Sequence, residues 1–341
     1  MAVAALGLAA PSATAVTALA AVAPRPSTIV SLNTPIRSFA ADGRRIAISV
    51  HLGGCPGLLL RDLPSRRTTI VRWTAPRPCR AGFSTGVFGI AVAGTRALWN
   101  EGQVAGDSEV SGRWYTASTG DPRSRSLRRY LVRAPGETEH AGAAQWGLGY
   151  AGQGTLMVYA LPTGLWRVDG ARSTRIGAPA KVWAVNRGRI VVERSDHSLA
   201  ILDRTGGKQL AIAVPPEWTK VGAVVTAALQ DSTLAVIRPW NAVDVYDAGT
   251  GARLHSWPLP AKRTPFIERQ ASAYNGVLAY HVNGGRLWLL RLSDGTERSA
   301  DAANRGVGWH LGRDGLEWAD STKRAGVVRR LSPAQVAAIL A

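Results

Sequence analysis

The stretch DGRRIAISV, Asp42–Val50, consists of a tight turn followed at once by an apolar strand. Turns rich in Gly, Asn or Asp that are followed by apolar residues return near residues 94, 154, 186, 231, 275 and 312. The matching positions in the seven units are Ile46, Ala97, Leu156, Ile190, Leu234, Val277 and Leu316. The average step between them is about 45 residues, so the chain is an internal repeat of one supersecondary unit.

Each unit offers four short strands. A strand of small apolar residues precedes the turn, as in FGIAVA from Phe88, and an alternating strand follows the first apolar strand, as in LWRVDG from Leu165. An outer strand comes last, as in LRRYLV from Leu127. Alternation with period two is typical of half-buried antiparallel strands. Four strands at this period predict an all-β, seven-bladed β-propeller of four-stranded antiparallel blades.

The last unit lacks an outer strand, because VVRRL from Val327 is followed by Ser332 and Pro333. A serine N-cap and a proline in the first turn indicate a short C-terminal helix. The segment TIVSL from Thr28 supplies the missing strand, so we expect the two ends of the chain to pair and close the ring. The predicted division is a propeller over residues 28–331 and a helix over 332–341.

Residues 1–23 carry no charged side chain and are mostly Ala, Val and Leu. Ala13-Thr14-Ala15 and Ala18-Leu19-Ala20 have the small residues of a signal-peptidase site. We therefore expect a signal peptide and a secreted or cell-envelope protein. An uncleaved N-terminal anchor, which would be the only contact with a membrane, and a plain disordered tail are the alternatives.

Cys55 and Cys79 are the two cysteines of the chain. In an exported protein such a pair predicts a disulfide, which would stabilise the fold by about 3–4 kcal/mol through loop closure. A redox-active pair is the alternative, but the C-x-x-C spacing that favours it is missing.

The chain has 41 Lys and Arg against 23 Asp and Glu, a net charge of +18, which commonly indicates a polyanionic partner. Nucleic acid is disfavoured because arginines are scattered through every segment. Arginine clusters occur at Arg61, Arg66 and Arg67, and at Arg123, Arg125, Arg128, Arg129 and Arg133. A solvated basic face is the simplest interpretation. The alternative is docking to an anionic polymer or an acidic envelope protein, with the Gly-rich segment 102–126 as a contact loop.

Two stretches carry a family resemblance. SFAADGRRIAISV from Ser38 resembles the TolB-type propeller repeat, and VDVYDAGTGARLHSW from Val243 is similar to the repeat of pyrroloquinoline-quinone-type propellers. The resemblance covers residues 28–331 and implies the fold rather than an activity. Quinone enzymes often carry a vicinal disulfide, whereas Cys55 and Cys79 are far apart, so no cofactor is expected. The Gly-His and Trp-Asp landmarks of WD-type repeats are absent.

No contiguous catalytic motif is present. The six histidines show no metal-ligand spacing, so no metal is expected, and nucleotide-binding and serine-hydrolase motifs are missing. His310, in the predicted inner strand GVGWHLG, is the one candidate for a side chain facing the channel. Two hypotheses follow. The first is a monomeric, non-enzymatic interaction module. The second is a propeller lyase, glycosidase or dehydrogenase whose residues converge at the channel mouth.

Overall fold

The computed structural model describes residues 24–52, 55–72, 86–105, 109–133, 149–207, 209–212, 214, 224, 226–238, 242–259, 267–282, 286–300 and 306–341. Within these ranges the strands form seven four-stranded antiparallel sheets, arranged as the blades of a β-propeller. The predicted seven-bladed fold is therefore confirmed.

Each of the first six blades consists of four consecutive strands, which run in order from the inner to the outer edge. Blade 1 contains β2 (Ile36–Ala41), β3 (Arg45–Leu52), β4 (Cys55–Asp62) and β5 (Thr68–Ile70). Blade 2 contains β6 (Gly86–Ala93), β7 (Arg96–Ala105), β8 (Glu109–Ser118) and β9 (Arg125–Arg133). Blade 3 contains β10 (Tyr150–Gln153), β11 (Leu156–Leu161), β12 (Gly164–Asp169) and β13 (Arg172–Gly177).

The next three blades repeat this order. Blade 4 contains β14 (Lys181–Asn186), β15 (Arg189–Glu193), β16 (Leu199–Asp203) and β17 (Gln209–Ala211). Blade 5 contains β18 (Thr226–Gln230), β19 (Thr233–Arg238), β20 (Ala242–Asp247) and β21 (Arg253–Pro258). Blade 6 contains β22 (Ile267–Tyr274), β23 (Val277–Val282), β24 (Arg286–Arg291) and β25 (Glu297–Ser299).

Blade 7 is built from both ends of the chain. It contains β26 (Gly306–Gly312), β27 (Gly315–Ser321), β28 (Gly326–Leu331) and, as its outer strand, β1 (Ser27–Leu32). β1 pairs antiparallel with β28, with Val30 opposite Val328 and Leu32 opposite Gly326. The predicted closure by the N-terminal strand is confirmed, and it covers the edge of β28 that would otherwise be unpaired.

The hydrophobic core lies between blades as layers of aliphatic side chains. Leu156 and Leu165 of blade 3 pack with Val182 and Ile190 of blade 4. At the seam, buried Val30 and Val328 of blade 7 share one cluster with blade 1. Each blade buries its faces only against its neighbours, so the ring has to close for the first and last blades to be covered.

The turns between first and second strands have the geometry that hairpins require. Asn275 and Gly276 both have positive φ, +49° and +71°, as two-residue hairpins of the mirror-image type demand. Gly89, on β6, serves a different need: a Cβ atom there would overlap the ring of Tyr150 on the neighbouring inner strand. Small residues on the inner strands thus let adjacent blades approach closely.

The C-terminal helix α1 (Pro333–Leu340) begins as predicted. The Ser332 hydroxyl accepts a hydrogen bond from the Gln335 backbone N–H, and the Gln335 side chain accepts one from the Ser332 N–H. This reciprocal pair is a capping box. Val336 and Leu340 are buried against blades 6 and 7, so the helix covers the outer part of the junction between these two blades.

The expectation of a loop over 102–126 is wrong. β7 continues to Ala105 and β8 starts at Glu109, so most of the segment is one long antiparallel hairpin. The pairing of β7 with β8 is made by backbone groups, which glycine carries like other residues, so a Gly-rich composition does not prevent it.

Residues 1–23 and Cys79 lie outside the described residues, and Cys55 is described only as the first residue of β4. The leader and the disulfide therefore stay predictions. In the portion of the chain that the structure covers, no helix has the length and apolar character needed to cross a membrane.

Candidate functional site

A central cavity of about 1890 Å³ lies where the seven inner strands meet. Each inner strand contacts the inner strands of the two adjacent blades, and β26 contacts β2, so the lining is continuous. Much of the wall is small or apolar, as at Ala91 and Ala228, and the polar groups gather toward the ends. A cavity of this kind is the usual place for a ligand in a propeller-shaped scaffold.

His310 lies on β26 and lines the central cavity, half-buried, as expected for a residue on an inner strand. Burial lowers the pKa of its imidazole, and the carboxylates of Asp42 and Asp314 oppose that shift. The shift favours the neutral imidazole, in which one ring nitrogen can accept a hydrogen bond. Its role stays a prediction.

We call the end of the cavity formed by the turns between first and second strands the turn mouth. Here the Asp42 carboxylate ties three blades together, because its Oδ2 accepts hydrogen bonds from the backbone N–H groups of Gly94, at 2.8 Å, and Gly154, at 3.0 Å. Similar contacts between neighbouring blades are made by Gln153 with Arg187, by Asn186 with Leu229 and by Gln230 with Gly276. Many polar side chains of this mouth therefore hold blades together.

At the start of β14, away from the turn mouth, a buried carboxylate positions an aromatic ring. Glu193, only 5% exposed, accepts a hydrogen bond from Trp183 Nε1 at 3.1 Å and contacts His197 Nδ1 at 2.9 Å. Lys181 Nζ lies 3.9 Å from the centroid of the Trp183 ring and 3.7 Å from Glu193. Lys181 covers one face of the Trp183 ring, and the polar groups of Glu193, Trp183 and Lys181 contact one another. The sequence analysis missed it, because its residues carry no motif.

The strongest charged surface is a side wall of the ring, formed by the outer strands of blades 2 and 3. β9 and β13 contact each other, and neither strand contains Asp or Glu. The exposed arginines of these strands define what we call the basic wall: Arg125, Arg128, Arg129, Arg172 and Arg175. An array of cations without carboxylates on its own strands creates a local positive potential.

Contacts orient two members of the basic wall. The Arg128 guanidinium lies 3.9 Å from the centroid of the Trp166 ring, on β12 of the next blade, which is a cation–π geometry. Arg125 pairs with Asp121 at 3.0 Å, both side chains being about half exposed. That pairing, with the Arg123 N–H, holds the pKa of the Asp121 carboxyl below its usual value.

The structure brings the four predicted arginines to one side of the molecule. Arg123 lies just before β9 and forms an isolated parallel β-bridge with Arg72, which follows β5 of blade 1. Arg125, Arg128 and Arg129 follow on β9. Their binding role is untested. The sequence analysis missed Arg172 and Arg175, which lie in a different repeat. Both lie in β13, a strand without Asp or Glu, and this feature of the sequence could have indicated them as part of a basic surface.

No group of three His, Cys, Asp or Glu side chains that could hold a metal ion is found among the residues placed by the structure. The polar groups described above form two sets. Carboxylate and amide groups join blades at the cavity, and guanidinium groups cover the outer wall.

No protein-family model and no curated protein matches the chain. Solved structures do. The WD40 β-propeller domain of Doa1 is similar with a TM-score of 0.52 and 10% identity, over 92% of this chain and 99% of that one. This likeness shows the fold alone. A computationally designed protein, Ika8, gives 0.49 at 10% identity over 89% and 98% of the chains. A chain of a nidogen–laminin complex gives 0.40 at 11% identity over 78% and 79%.

The class is thus a seven-bladed β-propeller closed by its N-terminal strand, a fold typical of protein-interaction modules.

Proposed function

We propose that this propeller is a non-enzymatic interaction module whose basic wall binds an acidic partner, either an acidic protein surface or an anionic polymer. The observation that carries the proposal is the pair of adjacent outer strands with five exposed arginines and no carboxylate. Guanidinium groups present planar donors that match carboxylate, sulfate and phosphate oxygens.

The arrangement of the wall supports binding rather than simple solvation. Arg128 reaches across the groove between blades to Trp166, so part of the positive charge is held on a fixed platform instead of on free side chains. Fixed cations lose less conformational entropy when an anion binds. Since Arg128 is supplied by blade 2 and Trp166 by blade 3, the proposed site depends on the folded ring.

The finer parts of the proposal rest on the sequence. We place the protein outside the cytoplasm, secreted or attached to the cell envelope, because of the apolar leader at residues 1–23 and the cysteine pair. We also propose that it acts as a monomer and belongs among the TolB-like and quinone-type repeat propellers, on the strength of the repeats from Ser38 and Val243.

The test measures binding of a labelled sulfated polysaccharide by fluorescence anisotropy. The salt concentration is varied from about 50 to about 200 mM, a range over which salt increasingly screens charge–charge interactions. Replacing Arg128, Arg129, Arg172 and Arg175 by Gln is expected to weaken binding at the low-salt end by about tenfold or more. The same change should make the affinity less dependent on salt, because fewer counterions are exchanged.

The matched control replaces four exposed arginines on other parts of the surface, Arg66, Arg67, Arg286 and Arg298, by Gln. It removes the same net charge and should leave most of the affinity. Equal losses in the two variants would show that binding follows net charge alone, and that outcome would overturn the proposed site.

A further inference from the structure

A second, smaller pocket of about 480 Å³ opens at the seam between blade 7 and blade 1. Its wall combines the turn of blade 1 at Gly43 and Arg44 with the turn of blade 7 at Arg313 and Asp314. Leu63 and Pro64 supply an apolar side, and Arg330 of β28 completes it. We call this the seam pocket. Its volume is in the range of small-molecule sites.

The charges of the seam pocket are unbalanced. Three guanidinium groups, those of Arg44, Arg313 and Arg330, line the pocket with one carboxylate, that of Asp314. Two further carboxylates lie nearby: Glu317 pairs with Arg330, and Asp62 is close enough to Arg44 to interact with its charge. Arg330 donates through Nε and Nη2 to the buried carboxylate of Glu317, which fixes its orientation and leaves the Nη1 donors unused by that contact. Within the described residues, Arg44 and Arg313 make no ion pair. The lining side chains therefore carry a net positive charge, which attracts an anion.

We infer that the seam pocket binds a compact oxyanion, the phosphate or carboxylate group of a small ligand. Arg330, oriented by Glu317, supplies a preorganised donor from blade 7, and Arg44 supplies a cation from blade 1. Asp314 limits the net positive charge and disfavours extended polyanions. The site lies on the turn side of the ring and uses none of the basic-wall arginines, so it goes beyond the proposed interaction surface.

A ligand bound there touches both blades that meet at the closure of the ring. An oxyanion that contacts Arg44 and Arg330 together binds only when blade 7 is docked on blade 1. Binding to the folded state alone raises the melting temperature by mass action. Ligand binding and ring closure are therefore coupled, and thermal unfolding becomes a readout of the site.

The experiment follows the melting temperature of the full chain during titration with inorganic phosphate, and in parallel with acetate, at ionic strength held constant with sodium chloride. We expect a saturable rise of about 2 °C. A rise with phosphate alone assigns a phosphate group, and a rise with acetate alone assigns a carboxylate. A shift equal to that given by sodium chloride, or no saturable shift with either anion, would overturn the inference.

The variant is Arg44→Gln combined with Arg313→Gln, both at exposed positions and so without a large effect on folding. Its affinity for the active anion, measured by calorimetry, should fall at least tenfold. Arg129→Gln with Arg172→Gln, on the basic wall, is the matched control and should bind the anion as the wild type does. Equal affinity in the seam and control variants contradicts the inference. Polysaccharide binding should show the reverse pattern, so the two proposals fail separately.

Discussion

Blades 7 and 5 each bury one carboxylate, and they surround it differently. In blade 7, Glu317 is 1% exposed and, among the described residues, accepts hydrogen bonds from Arg330 alone, at 3.0 Å from Nε. In blade 5, Asp244 is fully buried, with Arg238 Nε at 3.1 Å and Arg253 Nη1 at 3.8 Å, and the Tyr246 hydroxyl also donates to it. One blade gives its carboxylate a single cation, and the other gives it two.

The surroundings of the Glu317 carboxyl in blade 7 change its pKa. Burial raises the pKa of Glu317 to about 7, and the contact with Arg330 only partly offsets it. The Glu317 Oε2 atom has no hydrogen-bond partner in the described part of the chain. A buried charge with one partner is costly, and its cost depends on that partner. Of these two blades, the one that joins the chain ends thus pairs its buried carboxylate with a single arginine among the described residues.

The largest effect should come from removing the cations one at a time. Arg330→Met leaves Glu317 without its partner and should lower the free energy of unfolding by about 3–5 kcal/mol at pH 8. Arg238→Met leaves Asp244 near Arg253, so the loss should be about half as large. Urea unfolding of both variants measures the difference. Equal losses would show that the second cation of blade 5 contributes nothing.

The second effect is a pH dependence that comes from Glu317. The unfolded Glu317 titrates near 4.5 and the folded one near 7, so the folded state binds more protons in between. Stability should therefore fall as the pH rises from 4.5 through 7, by about 3 kcal/mol in total. Glu317→Gln should flatten this slope. Asp244→Asn, which leaves Glu317 intact, should keep it, and a flat wild-type profile would contradict the assignment.

A third effect distinguishes the outer strands of the two blades. Val30 on β1 is 6% exposed, whereas Leu254 on β21 is 51% exposed. Val30→Ala should cost about 2 kcal/mol, because it leaves a cavity in the layer that closes the ring. Leu254→Ala should change stability by less than about 0.5 kcal/mol. Thermal melts of the two variants test whether closure depends on side-chain packing or on strand pairing alone.

The smallest effect concerns the helix α1, which follows blade 7. Ser332→Ala removes one half of the capping box and should cost about 1 kcal/mol. Ser332→Asp, which can also accept the hydrogen bond from Gln335, should restore most of it. No change in the melting temperature of the alanine variant would mean that the capping box of α1 does not stabilise the fold.

The fold was predictable because its signals are local. Turns such as Asn275-Gly276 and the alternation in VDVYDA are visible within a few residues, and the strand missing from the last unit pointed to β1. Part of the basic wall was predictable for the same reason, since Arg125, Arg128 and Arg129 are close in sequence.

The remainder depends on how blades pack. Arg172 and Arg175 join the wall only because β13 lies beside β9, and Glu317 meets Arg330 only through the register of β27 with β28. The seam pocket combines turns that are more than 250 residues apart along the chain. Distances of this kind are set by the rotation between neighbouring sheets, which no local pattern encodes.

The bonds that Asp42 makes with Gly94 and Gly154 have a consequence for the size of the ring. One oxygen of blade 1 reaches the turns of both blade 2 and blade 3, so the angle between first and third blades is fixed. That angle depends on how many blades share the circle. Inserting or deleting a blade anywhere would change it and pull the carboxylate off one of its two amides. The two hydrogen bonds of Asp42 therefore match the spacing of blades in a seven-bladed ring.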